Sequence, residues 1–273
     1  MNNFLRIRTW NMQGGGASKI AYIQPRLDRK VILLCQESGV PNTTGFQRGE
    51  RYGEYLCLAS SVDAAAYNQR CTTSVFVTCD ACSAHNTIYC GRCDIFRHMP
   101  ITTYEATNRM NIITRPYLKV TYNREVCIDI YTYHATANRN SSVVEVIEII
   151  KSIMDYGGNK NWILLGDFNA EPWDFESYTP FDLHAGQFNC MIFRTETRTR
   201  VISEHICYML YPHGHTQGAN GYRTSTLDYA FFSDTIGNSG IIADITNDYI
   251  TNEYRVPLSD HNSVSLLLNL NHI

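Results

Sequence analysis

The most informative stretch of the chain is residues 161–172, with the sequence NWILLGDFNAEP. Residues 162–165 form a short, wholly apolar run, which is typical of a strand covered on both faces. Gly166 ends the run, and Asp167 and Asn169 follow it two residues apart. Because residues i and i+2 of an extended chain project to the same side, we expect this carboxylate and amide to lie together at the end of a rigid element. They suit a general base beside an amide that orients a phosphate or a water molecule, or else a simple turn.

The composition predicts a globular chain with ample apolar material for a core. It has 273 residues, a formal net charge of -3 and 44% hydrophobic residues, and we expect a single domain spanning 1–273. No apolar run approaches the roughly 18 residues needed to cross a bilayer, so no transmembrane segment is predicted. The N-terminus enters a strand pattern at once and lacks the apolar stretch of a signal peptide. Either a signal has been removed from an exported protein or the chain never had one.

The nearly balanced charge gives no indication that the whole protein attracts polyanions, so any such site must be a local patch. The candidate is segment 97–124, where few acids accompany Arg97, Arg109, Arg115, Lys119 and Arg124. A solvated strand edge explains this segment equally well.

Five of the ten cysteines cluster in one part of the chain: Cys71, Cys79, Cys82, Cys90 and Cys93. Two Cys-x-x-Cys pairs in this cluster resemble a zinc ribbon, but the seven residues between them are few for one. Disulfides in an exported protein and reduced thiols are the alternatives, and the sequence does not set a pairing.

Polar side chains recur wherever an apolar, strand-like run begins or ends. They are Asn11 after the run 4–10, Glu37 after 31–35, His134 after 126–133, Asp228 within 226–232, and Asp260 and His261 before 263–270. Each residue type alone is ordinary at a strand end, as a solvated carboxylate or a capping group. His213 and His215, in a turn-rich stretch, are interpreted as loop residues near a site rather than as metal ligands.

Strands dominate the remaining pattern, with further runs at 52–59, 73–78, 87–96, 117–122, 188–193, 201–206 and 241–245. Apolar positions at helical spacing follow Ser141 and Ser142, which are placed to cap a helix that Gly157 and Gly158 end. Hairpins and helix-connected strands are mixed. We therefore predict one α/β domain in which two sheets pack face to face and helices lie outside.

The strand-end residues together are the groups that hydrolysis of a phosphate ester needs. A divalent cation must neutralise the phosphate oxygens, and hard Mg²⁺ prefers carboxylates and water. A base must activate water, an acid must protonate the leaving oxygen, and a carboxylate must orient the imidazole. The set holds four carboxylates, two amides and two imidazoles: Glu37, Asp167, Asp228, Asp260, Asn11, Asn169, His134 and His261.

Five short motifs, in this order, resemble the endonuclease/exonuclease/phosphatase superfamily typified by pancreatic deoxyribonuclease. They are Thr-Trp-Asn at 9–11, Gln-Glu at 36–37, Gly-Asp-Phe-Asn at 166–169, Leu-Asp-Tyr at 227–229 and Ser-Asp-His at 259–261. Within the superfamily the chain most resembles the active nuclease component of the cytolethal distending toxins. The marks are TWNMQG from residue 9, Arg115-Pro116, Tyr-His-Ala at 133–135, and Pro-x-x-x-Thr-Gln at 212–217. The resemblance implies a deoxyribonuclease I-like four-layer αββα sandwich, with two packed mixed sheets flanked by helices.

The resemblance also implies a metal site and a water-activating group. Glu37 would hold Mg²⁺ with the help of Asn11, Mn²⁺ would be a substitute, and Asp260 would lie beside the ion. Asp167 would polarise the attacking water, or pair with Asn169 to hold the phosphate.

Two histidines and an arginine complete the implied machinery. His261, oriented by Asp228, would act at the reacting phosphate, and His134 would be the second acid–base histidine. Arg115 would clamp a phosphate, a task that suits a planar guanidinium. The resemblance is weakest in residues 60–110, which hold the cysteine cluster, and just after His134.

The implied activity is that of a metal-dependent phosphodiesterase, most similar to a toxin DNase that nicks or cuts host DNA. Such a protein would be secreted, would act in the host cell nucleus and would have delivery or binding subunits as partners; an intracellular location is the alternative. A phosphoinositide (PIP3) phosphatase or a sphingomyelinase-type phosphoesterase on the same fold is the alternative activity. An inactive binding protein is a hypothesis of another class.

Overall fold

The computed structural model of the chain describes residues 4–14, 19, 31–38, 48–52, 55–59, 74–78, 118–123, 127–156, 160–177, 189–196, 202–213, 215–218, 225–248, 250 and 258–272. The predicted strand 87–96, the cysteine cluster, Gly157 and Gly158 lie outside these residues. Within them, no helix is both long and apolar enough to cross a membrane.

The strands of the described part form two mixed sheets, one of seven strands and one of six. In chain order they are β1 (Phe4–Asn11), β2 (Val31–Gln36), β3 (Arg48–Tyr52), β4 (Tyr55–Ala59), β5 (Ser74–Thr78), β6 (Leu118–Asn123), β7 (Cys127–His134), β8 (Trp162–Asp167), β9 (Asn189–Glu196), β10 (Ile202–Leu210), β11 (Asp228–Ser233), β12 (Ile242–Asp248) and β13 (Ser263–Asn269). The seven-stranded sheet has the order β12-β13-β1-β2-β5-β4-β3, and the six-stranded sheet has the order β6-β7-β8-β11-β10-β9. The predicted strand 52–59 is divided, because Tyr52 ends β3 and pairs with Tyr55 of β4.

The two sheets pack face to face over an apolar core. Ile7, Ile32 and Leu34 of the seven-stranded sheet meet Ile130 and Leu165 of the six-stranded sheet, and all five side chains are buried. Burying side chains of this size contributes roughly 1.5–3 kcal/mol each. β2 and β8 are buried along their whole length, as their unbroken apolar runs predict. The predicted α/β sandwich is confirmed.

A long helix covers the other face of the six-stranded sheet. This helix, α1 (Arg139–Tyr156), packs Val143, Ile147 and Ile150 into a second core with Tyr131 and Leu164. The remaining helical elements described are short: α2 (Asp234–Asn238) and two 3-10 turns, Pro172–Ser177 and Leu270–His272. The helical spacing of apolar residues in the sequence therefore correctly predicted the helix that covers β7 and β8.

The start of α1 differs from the prediction that Ser141 and Ser142 cap it. The helix begins at Arg139, and the side-chain oxygen of Asn138 accepts a hydrogen bond from the Ser141 backbone N–H at 3.2 Å. Asn138 is thus the N-cap, since Asn caps helices as well as Ser does. The Ser142 hydroxyl instead donates to the Arg139 carbonyl at 2.7 Å.

Gly166 lies inside β8 rather than at its end, because the strand continues to Asp167. Gly166 pairs with Tyr133 of the parallel neighbour β7. A Cβ atom at this position would lie 1.9 Å from the Tyr133 carbonyl oxygen. This distance is too short for any side chain, so only glycine fits here. The glycine therefore permits the close approach of two strands, and it does so one residue before the carboxylate of Asp167.

Candidate active site

The polar strand ends meet at one edge of the two sheets. In the six-stranded sheet His134 of β7 and Asp228 of β11 both stand opposite Asp167 of β8. In the seven-stranded sheet Asn11 of β1 stands opposite Gln36 of β2, directly before Glu37. Parallel neighbours end at the same level of a sheet, and the antiparallel β11 starts there. These strand registers cannot be derived from the sequence. They place the predicted residues in two rows, one at the edge of each sheet.

Asn11 joins the two rows across the gap between the sheets. Its Nδ2 donates to Asp167 Oδ2 at 2.8 Å and to Glu37 Oε1 at 3.3 Å, while its Oδ1 accepts from the Gln13 backbone N–H at 3.1 Å. Asn11 and Asp167 are both buried. In this arrangement Asn11 presents its NH₂ group to the carboxylates and orients Glu37, and its help in holding a metal stays a prediction from the sequence.

Left-handed backbone conformations are concentrated at this edge. Among the described residues, the non-glycine residues with positive φ are Gln13 (51°), Glu37 (46°) and Asn169 (48°). Each costs roughly 1–2 kcal/mol relative to the right-handed region. At Asn169 the conformation is held by two hydrogen bonds, from its backbone N–H to Asp167 Oδ1 (3.0 Å) and from its Nδ2 to the Ala135 carbonyl (2.9 Å). The surrounding contacts fix these strained residues, as is common at functional sites.

His134 lies between the two carboxylates that Asn11 joins. Its Nε2 is 3.6 Å from Glu37 Oε1 and 3.6 Å from Asp167 Oδ2, just beyond hydrogen-bond distance. The side chain is buried, whereas that of Glu37 is 27% exposed. His134 is therefore a buried ring that lies close to both carboxylates, Glu37 and Asp167.

Asp228 and His261 form a buried ion pair, with His261 Nδ1 2.8 Å from Asp228 Oδ2. The other ring nitrogen, Nε2, is 3.7 Å from Asp167 Oδ2 and 3.8 Å from Asp260 Oδ1. Burial alone would lower the pKa of His261. The charges of Asp228, Asp167 and Asp260, with the hydrogen bond to Asp228, outweigh burial and raise the pKa to about 10. The imidazole is therefore charged at neutral pH, and both of its N–H groups are donors.

Two sets of side chains at this edge could hold a cation. Asp167, Asp228 and His261 offer ligand atoms within 4.8 Å of one another, and Asp228 Oδ1 is buried without a hydrogen-bond partner among the described residues. Glu37 and Asp260 instead offer oxygens only, and Asp260 Oδ1 is buried without a hydrogen-bond partner among the described residues. Hard divalent cations prefer such oxygen donors. The pair Glu37 and Asp260 is therefore the harder donor set of the two, and its assignment to Mg²⁺ stays a prediction from the sequence.

Lys19 and Gln13 belong to the site but were not predicted. The Lys19 ammonium donates to the Met12 carbonyl oxygen; burial lowers its pKa, and the charges of Asp260 and Glu37 oppose that shift. Gln13 Oε1 accepts from the Asp260 backbone N–H at 3.2 Å. The glycine-rich stretch after Gln13 was a weak signal for a loop close to a ligand. No pattern marks Lys19.

Two groups of predicted residues do not enter this cluster. Arg115 lies outside the described residues, and so does most of the basic segment 97–124. His213 and His215 are exposed, and the His215 carbonyl accepts from Asn247 Nδ2 at 2.8 Å. They are loop residues, as interpreted from the turn-rich sequence.

Comparison with known proteins identifies the fold. No family model matches the chain, and no curated protein matches it in sequence. Among solved structures, the D. rerio TDP2 humanized by 14 mutations has a TM-score of 0.58 at 14% identity, covering 98% of this chain and 99% of that one. The endonuclease/exonuclease/phosphatase from Bacteroides vulgatus has a TM-score of 0.55 at 11% identity, covering 97% and 98%. D. rerio TDP2 complexed with single strand DNA product has a TM-score of 0.51 at 13% identity, covering 97% and 99%. The chain therefore has the deoxyribonuclease I-like fold of endonuclease/exonuclease/phosphatase proteins, at low sequence identity to them.

Proposed function

We propose that the chain is a metal-dependent phosphodiesterase that hydrolyses DNA. The observation that carries the proposal is the buried Asp228–His261 pair, whose Nε2 lies within 3.8 Å of both Asp167 and Asp260. A charged imidazole fixed among three carboxylates is costly to assemble. It suits a reaction in which negative charge develops beside it, as at a phosphate.

The geometry assigns different tasks to the imidazole and to Asp167. Because the neighbouring carboxylates raise the pKa of His261, its Nε2–H can stabilise charge on the phosphate and donate a proton to the leaving oxygen. Asp167 is ready to orient water, since Asn11 Nδ2 and the Asn169 N–H each occupy only one site on its two oxygens. His134, close to the same carboxylate, is the candidate for a second proton-transfer group.

A divalent cation would be held by Glu37 and Asp260, and when bound it would neutralise charge on the phosphate oxygens. Gln13 holds the Asp260 backbone, and Asn11 holds the Glu37 side chain. Both carboxylates are thereby oriented before a cation arrives. The choice of Mg²⁺, with Mn²⁺ as a substitute, rests on this all-oxygen donor pair.

DNA is proposed as the substrate because D. rerio TDP2, which shares the fold, was solved with a single strand DNA product. The finer resemblance to the nuclease component of cytolethal distending toxins rests on sequence motifs alone. Secretion, action in a host nucleus and delivery subunits therefore remain predictions from the sequence, as does the single domain spanning 1–273.

The test is nicking of supercoiled plasmid with Mg²⁺ and with excess EDTA, beside phosphate release from a phosphoinositide and from sphingomyelin. We expect cation-dependent nicking that His261→Ala slows by about 10²–10⁴-fold and that Arg139→Ala, at an exposed ion pair, leaves intact. Hydrolysis of either lipid without nicking of the plasmid would show that the substrate is a lipid rather than DNA. Nicking that survives both His261→Ala and His134→Ala would show contamination and return the chain to the class of inactive binding proteins.

A further inference from the structure

The two members of the Asp228–His261 pair come from different sheets. Asp228 is the first residue of β11 in the six-stranded sheet, and His261 stands just before β13 in the seven-stranded sheet. Their 2.8 Å contact therefore depends on how two separate sheet edges are held against each other. Apolar packing between sheets is not directional enough to set such a distance, so hydrogen bonds must supply the alignment.

A short stretch, which we call the bridging segment (residues 215–218), lies between the two edges. On one side it pairs with Ser225: the Thr216 and Gln217 N–H groups donate to the Ser225 carbonyl at 2.8 and 2.9 Å, and Ser225 N–H donates to the Gln217 carbonyl at 3.1 Å. On the other side the Thr216 carbonyl accepts from the Asn262 N–H at 2.7 Å, and the Gly218 N–H donates to the Asp260 carbonyl at 3.1 Å. The bridging segment thus bonds the chain on both sides of His261 and the chain that leads into Asp228.

The Thr216 side chain reaches Asp228 itself. Its Oγ1 accepts from the backbone N–H of Leu227 at 2.9 Å and from that of Asp228 at 3.0 Å. Thr216 and Asp228 are both fully buried, so water cannot take over the bond to the Asp228 N–H. One residue therefore holds the backbone of Asp228 through its hydroxyl and the backbone beside His261 through its carbonyl.

We propose that Thr216 is a positioning residue for the Asp228–His261 pair, which it aligns across the two sheets. The inference rests on the proposed phosphodiesterase function. Thr216 touches neither the reacting atoms nor the candidate metal ligands through its side chain, and it acts by fixing the start of β11. Loss of the Oγ1 acceptor leaves two N–H groups without that partner, the one of Asp228 fully buried, and lets the Asp228 carboxylate move relative to the ring.

The test compares Thr216→Val, which keeps the shape but removes the acceptor, with Thr216→Ser, which keeps the hydroxyl. The matched control is Ser233→Ala. Ser233 ends the same strand β11, is buried, and its Oγ also accepts from two backbone N–H groups, those of Ile236 and Trp162, both at 3.4 Å. We expect Thr216→Val to lower kcat about 10²-fold with KM little changed, the scale of a misplacement of about 1 Å. Thr216→Ser should recover most of the rate, and Ser233→Ala should lower Tm but spare kcat.

Two further measurements separate positioning from general damage. In the His261→Ala background, Thr216→Val should lower the residual rate by less than about 2-fold, since residues that act as one unit are not additive. The ring ¹⁵N signals of His261 in the full chain should shift in Thr216→Val towards those of Asp228→Asn and stay at wild-type positions in Thr216→Ser. This readout does not need activity, so an inactive wild type would sink the proposed function while the NMR comparison still decides the role of Thr216. Equal kcat in wild type and Thr216→Val with unchanged ring signals, or an undiminished loss in the His261→Ala background, would overturn the proposal.

Discussion

Replacing Asp228 with Asn removes the charge that contributes most to holding the His261 imidazolium, and it nearly preserves the shape of the side chain. The pKa of His261 is raised from 6.5 to about 10, which corresponds to about 5 kcal/mol of preference for the charged ring, shared among Asp228, which contributes most, Asp167 and Asp260. Leaving one member of a buried ion pair without its partner costs about 3–5 kcal/mol, so the two figures agree in scale. We expect Asp228→Asn to lower the free energy of unfolding by this order of magnitude at pH 6.

The pH dependence of this loss follows from the direction of the shift. Because the folded pKa of His261 lies above the unfolded value, the stabilisation is fully present below about pH 6.5 and is lost as the pH rises through about 10. The gap between wild type and Asp228→Asn should therefore be widest near pH 6 and shrink towards pH 10. Urea denaturation in EDTA, at steps of pH between 6 and 10, measures it.

The control for this experiment is Asp228→Asn made in a variant that lacks the His261 imidazole. In the His261→Ala background, Asp228→Asn should show no such trend between pH 6 and 10. A gap between wild type and Asp228→Asn that stays constant, or widens, over this window would refute the charged pair. In nicking assays Asp228→Asn should lower the rate by about 10²–10⁴-fold, and the double variant with His261→Ala should be little worse than either single one. Fully multiplicative losses would show that the two residues work separately.

Three further predictions concern other parts of the site. Gly166→Ala places a methyl group 1.9 Å from the Tyr133 carbonyl and should destabilise the fold by at least about 1–3 kcal/mol in urea denaturation; a loss below about 0.5 kcal/mol would mean that β7 and β8 are not so close. Glu37→Gln, which weakens a hard oxygen donor beside Asp260, should raise the Mg²⁺ concentration needed for half-maximal nicking, and an unchanged requirement would remove Glu37 from the metal site. Arg115→Ala should weaken cutting on all sequences alike and flatten its dependence on salt, as phosphate contacts do, whereas a loss at particular sequences would indicate base reading.

The strands and the chemistry of the strand ends were visible in the sequence, because both are local. An unbroken apolar run predicts a buried strand at β2 or β8, and the polar residue that follows it must lie at the end of that strand. Helix spacing after His134 likewise predicted the layer formed by α1. Residue types at six such ends were enough to indicate phosphate chemistry, before any distance was known.

What only the tertiary structure decided is how separate strand ends meet. The Asn11–Asp167 bond and the Asp228–His261 pair each join two sheets, and their geometry depends on registers and packing between residues far apart in the chain. The same holds for Lys19, which no sequence pattern marks, and for Thr216, which lies in the motif at 212–217 but had no role assigned from it. Even Gly166, which ended an apolar run in the sequence, is required because the Tyr133 carbonyl of the adjacent strand leaves no room for a Cβ atom. Local patterns report what a residue can do, whereas the contacts between distant segments determine which residues act together.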